Sequence, residues 1–476
     1  MSSEFPRRTP ESQGISSAVL TGVLRELDKL EYMKGIVILR RGNVICEAGW
    51  APWEKETPQA LWSLSKSFTS CAIGLARSEK LLDLGDKLID FFPEYRSCVT
   101  DNKMFDVTLR DLLTMRSGHA QCAVIFAWSD TAGDWVRGFL SSQLAFAPGS
   151  RFVYNSAATY MLSAVIRRVT GLNVREYLMP RLFEPLEITP GLWESCPAGT
   201  NFGGFGLHLK LMDVAKFAQL ILDKGRWQGK QLLPADYLEE ATLPHADNSM
   251  REQPDWRCGY GYQFWRSRHG FRGDGACGQY ALMLPEEEMA VAVNATVTEM
   301  GKILDILWEK LLPGVQASPL PENPGALAEL EELTGSLAVP AAPAAPAGGK
   351  AEKRSCTFAF GPNSVGIEGG SLEISPEECL LSLKTPRGTE EIRAGFGSFA
   401  RSTARIQDFR PHPLAACASW KSENLLEIDV LFLDGTFRDT WEIEFADGTV
   451  DFRWRTKCSL FRPLLPPLRT VRFEGK

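Results

Sequence analysis

The sequence predicts an α+β fold: one antiparallel sheet built from two distant parts of the chain, helices flanking it, and a helical region inserted between its halves. A separate antiparallel β domain, barrel or sandwich, follows at the C-terminal end. Three observations lead there. Strand patterns near residues 35–50 and 281–296 bracket a long stretch of helical periodicity. The segment "SLAVPAAPAAPAGGKAEKRS" (Ser336 to Ser355) is rich in Ala, Pro and Gly and carries no periodic apolar residues, the composition of a semi-rigid spacer. Beyond it, "NLLEIDVLFLDGTFRDTWEIEFADGTVDFRWRTK" alternates with period two.

"AVLTGVLRELDKL" places apolar residues at helical spacing. "GIVILRRGNVICEAGW" reads as two strands around Arg40-Arg41-Gly42-Asn43, a hairpin. In "SLSKSFTSCAIGLARSEKLL" an apolar stripe of Phe68, Cys71, Ala72, Leu75 and Ala76 predicts a buried helix. "TLRDLLTMRSG" is a short helix with Thr108 as N-cap and Gly118 past its end. "SAATYMLSAVIRRVTG" is a helix capped by Ser156 or Asn155 and stopped by Gly171, and "LMDVAKFAQLILDKG" is one ending at Gly225. "ALMLPEEEMAVAVNAT" predicts two strands joined by Pro285-Glu286-Glu287, and "EMGKILDILWEKLL" a closing helix. Past the spacer, Asp434-Gly435 and Asp447-Gly448 predict tight hairpins. The expected domains are residues 1–335, a linker over 336–355, and an all-β domain over 356–476.

The 476 residues carry a net charge of −7, with 44% hydrophobic and 23% charged residues, an ordinary globular balance. No block of Lys or Arg offers a footprint for nucleic acid. The 11 cysteines are scattered, form no Cys-x-x-Cys pair and do not cluster with the five histidines. That argues against a zinc site or other metal and against a disulfide framework. Reduced thiols in a cytoplasmic setting are expected. "MSSEFPRRTPESQG" has no apolar core of a signal peptide, and no run of 18 apolar residues predicts a membrane span.

Chemistry enters at "LWSLSKSFTS". Ser63 and Lys66 stand three apart at a helix start, where residues at i and i+3 share a face. The spacing fits a serine nucleophile with a lysine helper, and such a short motif also arises by chance. In "RFVYNSAATY", Tyr154 precedes a helix; it is either a cleft residue or a core tyrosine with a satisfied hydroxyl. In "HGFRGDGACGQYALMLPEEEMAVAV", Gly273, Gly275 and Gly278 crowd the start of a strand. They either admit a ligand close to the strand edge or form a plain hairpin loop.

In this order and at these separations the three segments resemble the serine β-lactamase and penicillin-binding-protein superfamily, in its class C β-lactamase, D-aminopeptidase and esterase branch, over about residues 10 to 315. "LWSLSKSFTSCAIGLA" is similar to that family's nucleophile helix, "TLRDLLTMRSGH" to its structural helix and following turn, "PGSRFVYNSAATYMLSAVIRRVTG" to its Tyr-x-Asn block, and "GQYALMLPEEEMAVAVNA" to its final core hairpin. The resemblance implies Ser63, Lys66 and Tyr154 as the catalytic set, an oxyanion hole from the backbone N–H groups of Ser63 and Ala276, and substrate contacts from Ser156, Gly273, Asp274 and Gly275. Two departures stand out. Ser156 replaces the family's Asn, and Gly273-Asp274-Gly275 replaces its Lys-Thr-Gly or His-x-Gly triplet, so the cation that helps hold a substrate carboxylate in relatives is absent. His269 or Arg272 are the nearby replacements; without one, an uncharged ester or amide is favoured over a β-lactam. Asp111 is expected to brace its helix, and Trp128 and Phe205 are possible cleft linings or packing.

The expected activity is that of a serine hydrolase cleaving a small ester, amide or peptide-like substrate through a Ser63 acyl-enzyme, without cofactor. The alternative is a protein of the same fold that binds a β-lactam or peptide without turnover.

Overall fold

The computed structural model describes residues 5–124, 133–343, 354–362, 366–406, 410–446, 449–457 and 471–475. The chain divides into two compact units, one of residues 1–49 and 58–337, the other of residues 50–57 and 338–476. The short stretch 50–57, which the sequence places with the first domain, thus goes with the second. There Val339 N–H donates to the Ala51 carbonyl at 2.7 Å and Arg401 pairs with Glu54 at 2.9 Å. Residues 344–353 of the Ala/Pro/Gly-rich segment lie outside the described residues.

In the first unit, the leading helix α1 (Ser17–Asp28) is capped by Ser16, whose hydroxyl accepts the Ala18 N–H. Such a cap is worth about 1 kcal/mol. Next come strands β1 (Met33–Arg40) and β2 (Asn43–Gly49), joined by the expected hairpin. Far along the chain lie β3 (Trp265–Arg266), β4 (Phe271–Gly275), β5 (Gln279–Leu284) and β6 (Met289–Ala295). They form one six-stranded antiparallel sheet in the order β2-β1-β6-β5-β4-β3, so its centre joins β1 to β6 across more than half the chain. Every residue of β1, β4, β5 and β6 is buried, which requires cover on both faces. Helix Leu211–Leu222 packs on β1, β5 and β6.

The inserted helical region carries the rest. Helix α2 (Ser65–Ser78) is buried over Ser65–Ala76. Gly74 within it admits the Tyr237 ring, since a Cβ there would come within 2.4 Å of Tyr237 Cδ1. Helix α3 (Leu109–Leu113) opens on a capping box: Asp111 accepts the Thr108 N–H at 2.9 Å, and the Thr108 hydroxyl accepts the Asp111 N–H at 3.2 Å. Helix α4 (Ser156–Thr170) is capped by Asn155, whose Oδ1 accepts the Ala157 N–H, and ends at Gly171 with φ +74°. A helix at Pro324–Ser336 has no counterpart in the sequence reading; it packs on α1, and its weak amphipathicity explains why periodicity passes over it.

Among the described residues, the second unit is a ten-stranded sheet, antiparallel except where strand Gly388–Phe396 meets strand His412–Ser422 in parallel. Alternate residues from nearly every strand, including Leu372, Leu381, Ile392, Leu414, Ile428, Trp441 and Phe452, close on one core, which makes the sheet barrel-like. Asp434-Gly435 sits in a connection spanning residues 433–437, longer than a tight hairpin. The Asp434 carboxylate there binds His412 Nδ1 at 3.0 Å. The Asp447-Gly448 step lies outside the described residues.

Candidate active site

Ser63 sits in a 3-10 turn, Trp62–Leu64, that leads directly into α2. Trp62 holds φ +49°, a conformation costly for a non-glycine residue and concentrated at functional sites. The turn is pinned. The Ser65 hydroxyl donates to the Trp62 carbonyl at 2.7 Å and accepts the Leu207 N–H at 3.2 Å, and Leu61 N–H donates to the Leu207 carbonyl at 2.9 Å. Ser63 is partly exposed, as an attacking hydroxyl must be.

Lys66 lies one turn on, 1% exposed. Its Nζ is 2.9 Å from Ser63 Oγ, 3.0 Å from Ser156 Oγ and 2.6 Å from the Gly204 carbonyl. A neutral amine has two N–H donors and one lone pair, so these three partners satisfy it fully: Gly204 O and Ser156 Oγ as acceptors, the Ser63 O–H as donor. Burial holds the amine down at about 7, against the ordinary 10.5, while the negative charges available at Cys122 and Asp274 pull the other way.

Tyr154, at the end of the extended segment before α4, brings its phenol into hydrogen-bonding reach of the Ser63 side chain. Lys66 Nζ stands 5.0 Å from the Tyr154 ring centre. Burial raises the phenol well above its ordinary 10, with the Ser63 hydrogen bond opposing, so it stays protonated at neutral pH. The ring stacks on Trp265 at 5.3 Å and meets Tyr260 edge-on at 6.2 Å. Behind it, Asn155 is fully buried: its Oδ1 also accepts the Ala123 N–H, and its Nδ2 faces Ser117 and His119. His119 in turn is held between Ser117 Oγ at 3.0 Å and Ser142 Oγ at 2.8 Å, and its burial drops the imidazole to about 4. Cys122 Sγ accepts the Ser156 N–H at 3.3 Å.

The glycine-rich strand approaches the same turn, though the neighbour it admits is the protein itself. A Cβ on Gly275 would lie 2.1 Å from the Leu61 carbonyl, and one on Gly273 2.3 Å from Leu64 Cδ1 and 2.9 Å from Ser67 Oγ. Both glycines are buried against the start of α2, where the lack of a Cβ lets β4 close on the Ser63 turn. Ala276 follows, partly exposed, where β4 gives way to a turn with Cys277 at φ +62°. Asp274 faces the other way along the pleat and is consumed, 2.9 Å from Arg272 Nε and hydrogen-bonded to Trp256. Arg272 is fully buried on Asp274, and exposed His269 packs on Trp308 at 5.2 Å. Phe205 uses its carbonyl to accept the Trp193 indole N–H and its ring to pack on Phe202. Trp128 lies outside the described residues.

The sequence reading missed the Gly204 carbonyl. Its signal was present in "NFGGFGLH": a Cβ on Gly204 would come within 2.9 Å of the Ser156 carbonyl and 3.5 Å of Lys66 Nζ, so only glycine brings that backbone to the amine. Among the described residues, no group of three His, Cys, Asp or Glu side chains is placed to hold a metal ion, and no helix is long and apolar enough to cross a membrane.

Comparison with known proteins places these features in context. A family model described as Beta-lactamase matches residues 31–311. The chain is 25% identical over 223 residues to a β-lactamase of Escherichia coli K12, covering 44% of this chain and 57% of that protein. It is 22% identical over 235 residues to a 6-aminohexanoate-dimer hydrolase of Paenarthrobacter ureafaciens, covering 46% and 59%. The matched part thus spans less than two thirds of either relative. Among solved structures, EstCE1, a hydrolase with promiscuous acyltransferase activity, superposes with a TM-score of 0.50 at 17% identity, over 62% of this chain and 98% of that one, a likeness of fold.

Proposed function

Since this chain belongs to the Beta-lactamase family, whose model spans more than half of it, we propose that it hydrolyses a small ester or amide through an acyl-enzyme on Ser63. The neutral Lys66 amine takes the Ser63 proton as Oγ bonds to the substrate carbonyl carbon. The carbonyl oxygen becomes an oxyanion, received by the backbone N–H groups of Ser63 and Ala276. As the intermediate collapses, the bond to the leaving group breaks, and the proton held by Lys66 passes to that group by way of the Tyr154 phenol. Water, giving a proton to the same pair, then attacks the acyl carbon; the Oγ–acyl bond breaks, and Oγ takes that proton back as the acid leaves. The Gly204 carbonyl and Ser156 hydroxyl hold the amine toward Ser63 throughout.

The observation that carries this reading is the 2.9 Å contact between Ser63 Oγ and a buried lysine amine held down at about 7. A lysine with an ordinary pKa would be charged at neutral pH and unable to accept the proton. The relatives, a β-lactamase and a 6-aminohexanoate-dimer hydrolase, support the hydrolase reading.

The test is turnover of p-nitrophenyl esters and of a chromogenic cephalosporin, with fluorophosphonate labelling mapped by mass spectrometry. The reading expects steady ester turnover lost in Ser63→Ala, and a phosphonate adduct on Ser63. One stoichiometric burst with a lasting mass increase would instead make the protein a non-turnover binder, and labelling at another residue would overturn the assignment.

A further inference from the structure

Arg272 and Asp274 cancel as a buried ion pair. Burial holds the Lys66 amine down at about 7. Asp255, behind them, is paired with Arg268 at 2.7 Å. One cation remains. Arg251 lies on the loop before β3, exposed, with its guanidinium carbon 5.4 Å from the ring of Trp265, the same ring that stacks on Tyr154. Its charge is felt by both Tyr154 and Asp274. The loop is anchored where it carries Arg251: Arg251 N–H donates to the Asn248 carbonyl at 3.1 Å, and buried Asn248 accepts the Gly259 N–H on its Oδ1 at 2.7 Å. Among the described residues, no ion pair or side-chain hydrogen bond is made by the Arg251 guanidinium, its exposed neighbour Glu252 included.

A guanidinium laid over an indole uses its face for the cation–π contact and keeps its N–H edge free. That edge is the geometry that grips a carboxylate with two parallel hydrogen bonds. We propose that Arg251, seated on Trp265 one ring beyond Tyr154, is a specificity-determining residue that selects substrates carrying a carboxylate a few bonds from the scissile carbonyl. This rests on the Ser63 hydrolase reading and narrows its substrate class to anionic esters or amides. It also reverses the leaning toward uncharged substrates drawn from the missing cation of the Gly273-Asp274-Gly275 segment: the charge comes from a different loop.

The experiment compares matched substrate pairs differing only in a carboxylate versus its neutral carboxamide. One arm carries the group on the acyl chain (the p-nitrophenyl esters of adipic monoacid and adipic monoamide). The other carries it on the leaving group (3-carboxyphenyl and 3-carbamoylphenyl butyrate). Rates are corrected for uncatalysed hydrolysis. The expected result is a kcat/KM ratio of about tenfold or more in favour of the carboxylate in one arm, which then identifies the side of the bond that faces Arg251. The ratio falls toward one in Arg251→Gln, is partly kept in Arg251→Lys, and shrinks between about 20 and about 300 mM salt. A ratio near one in both arms, or one unchanged by Arg251→Gln, overturns the proposal. If the neutral carboxamides are hydrolysed in a Ser63-dependent way without carboxylate preference, only this inference falls; if no pair shows Ser63-dependent turnover, the hydrolase reading falls with it.

Discussion

The Gly204 carbonyl stands 2.6 Å from Lys66 Nζ, joining a glycine-rich loop to the first turn of the nucleophile helix across 138 residues of sequence. That contact orients the amine. With one N–H directed at Gly204 and another at Ser156, the lone pair is left for the Ser63 proton.

Gly204→Ala is therefore expected to act on catalysis more than on folding. The new methyl would press on the Ser156 carbonyl at 2.9 Å and shift the loop, turning the amine away from Ser63. A misplacement of about 1 Å costs on the order of 10²-fold in rate. Steady-state kinetics and a thermal melt on the same sample check this: kcat should fall by about that factor while Tm falls by only a few degrees.

The Lys66 amine makes activity and stability both depend on pH. The base works when neutral, so kcat/KM for an uncharged ester should rise with pH as a single ionisation near 7. Stability follows by linkage. The folded value lies below the unfolded value of about 10.5, so the unfolded chain holds the extra proton between the two. The lysine's destabilising effect is full below about 7 and is relieved as pH rises toward about 10.5. Lys66→Met should be inactive, and more stable than the parent at pH 6 by a margin that shrinks toward pH 10, measured by urea unfolding at each pH.

His119 carries a second pH dependence. Its folded value of about 4 lies below the ordinary 6.5 because burial between Ser117 and Ser142 disfavours the imidazolium. The stability it contributes is whole above pH 6.5 and is lost as pH falls through 4. Acidification across that window should lower Tm in the parent and do so less steeply in His119→Asn. Equal slopes would show that this imidazole does not set the acid limit.

Gly275→Ala should damage both fold and chemistry. Its Cβ would meet the Leu61 carbonyl at 2.1 Å, and backbone cannot swing aside as a side chain can. Overpacking of this kind costs about 1–3 kcal/mol, and displacing the Ala276 N–H costs about 10²–10³ in kcat if it serves the oxyanion. Gly22→Ala is the control: that position lies in α1 with nothing within 4 Å, and alanine there should stabilise by about 0.5–1 kcal/mol.

Local pattern was enough for much of this protein. Helical and strand periods, the caps at Thr108 and Asn155 and the stop at Gly171 are written in short windows, because each is satisfied by neighbours within a few residues. The Ser63-x-x-Lys66 spacing was legible for the same reason: one helical turn sets it. What the sequence could not decide is what arrives from far along the chain. How closely Gly273 and Gly275 approach the start of α2, and which carbonyl meets Lys66, depend on packing between segments more than a hundred residues apart; Arg272 pairs with Asp274 only two residues on, but the burial that makes the pair a closed one comes from the assembled core. The depressed lysine value belongs there too. Burial and through-space charge are properties of the assembled core, and no local window contains them.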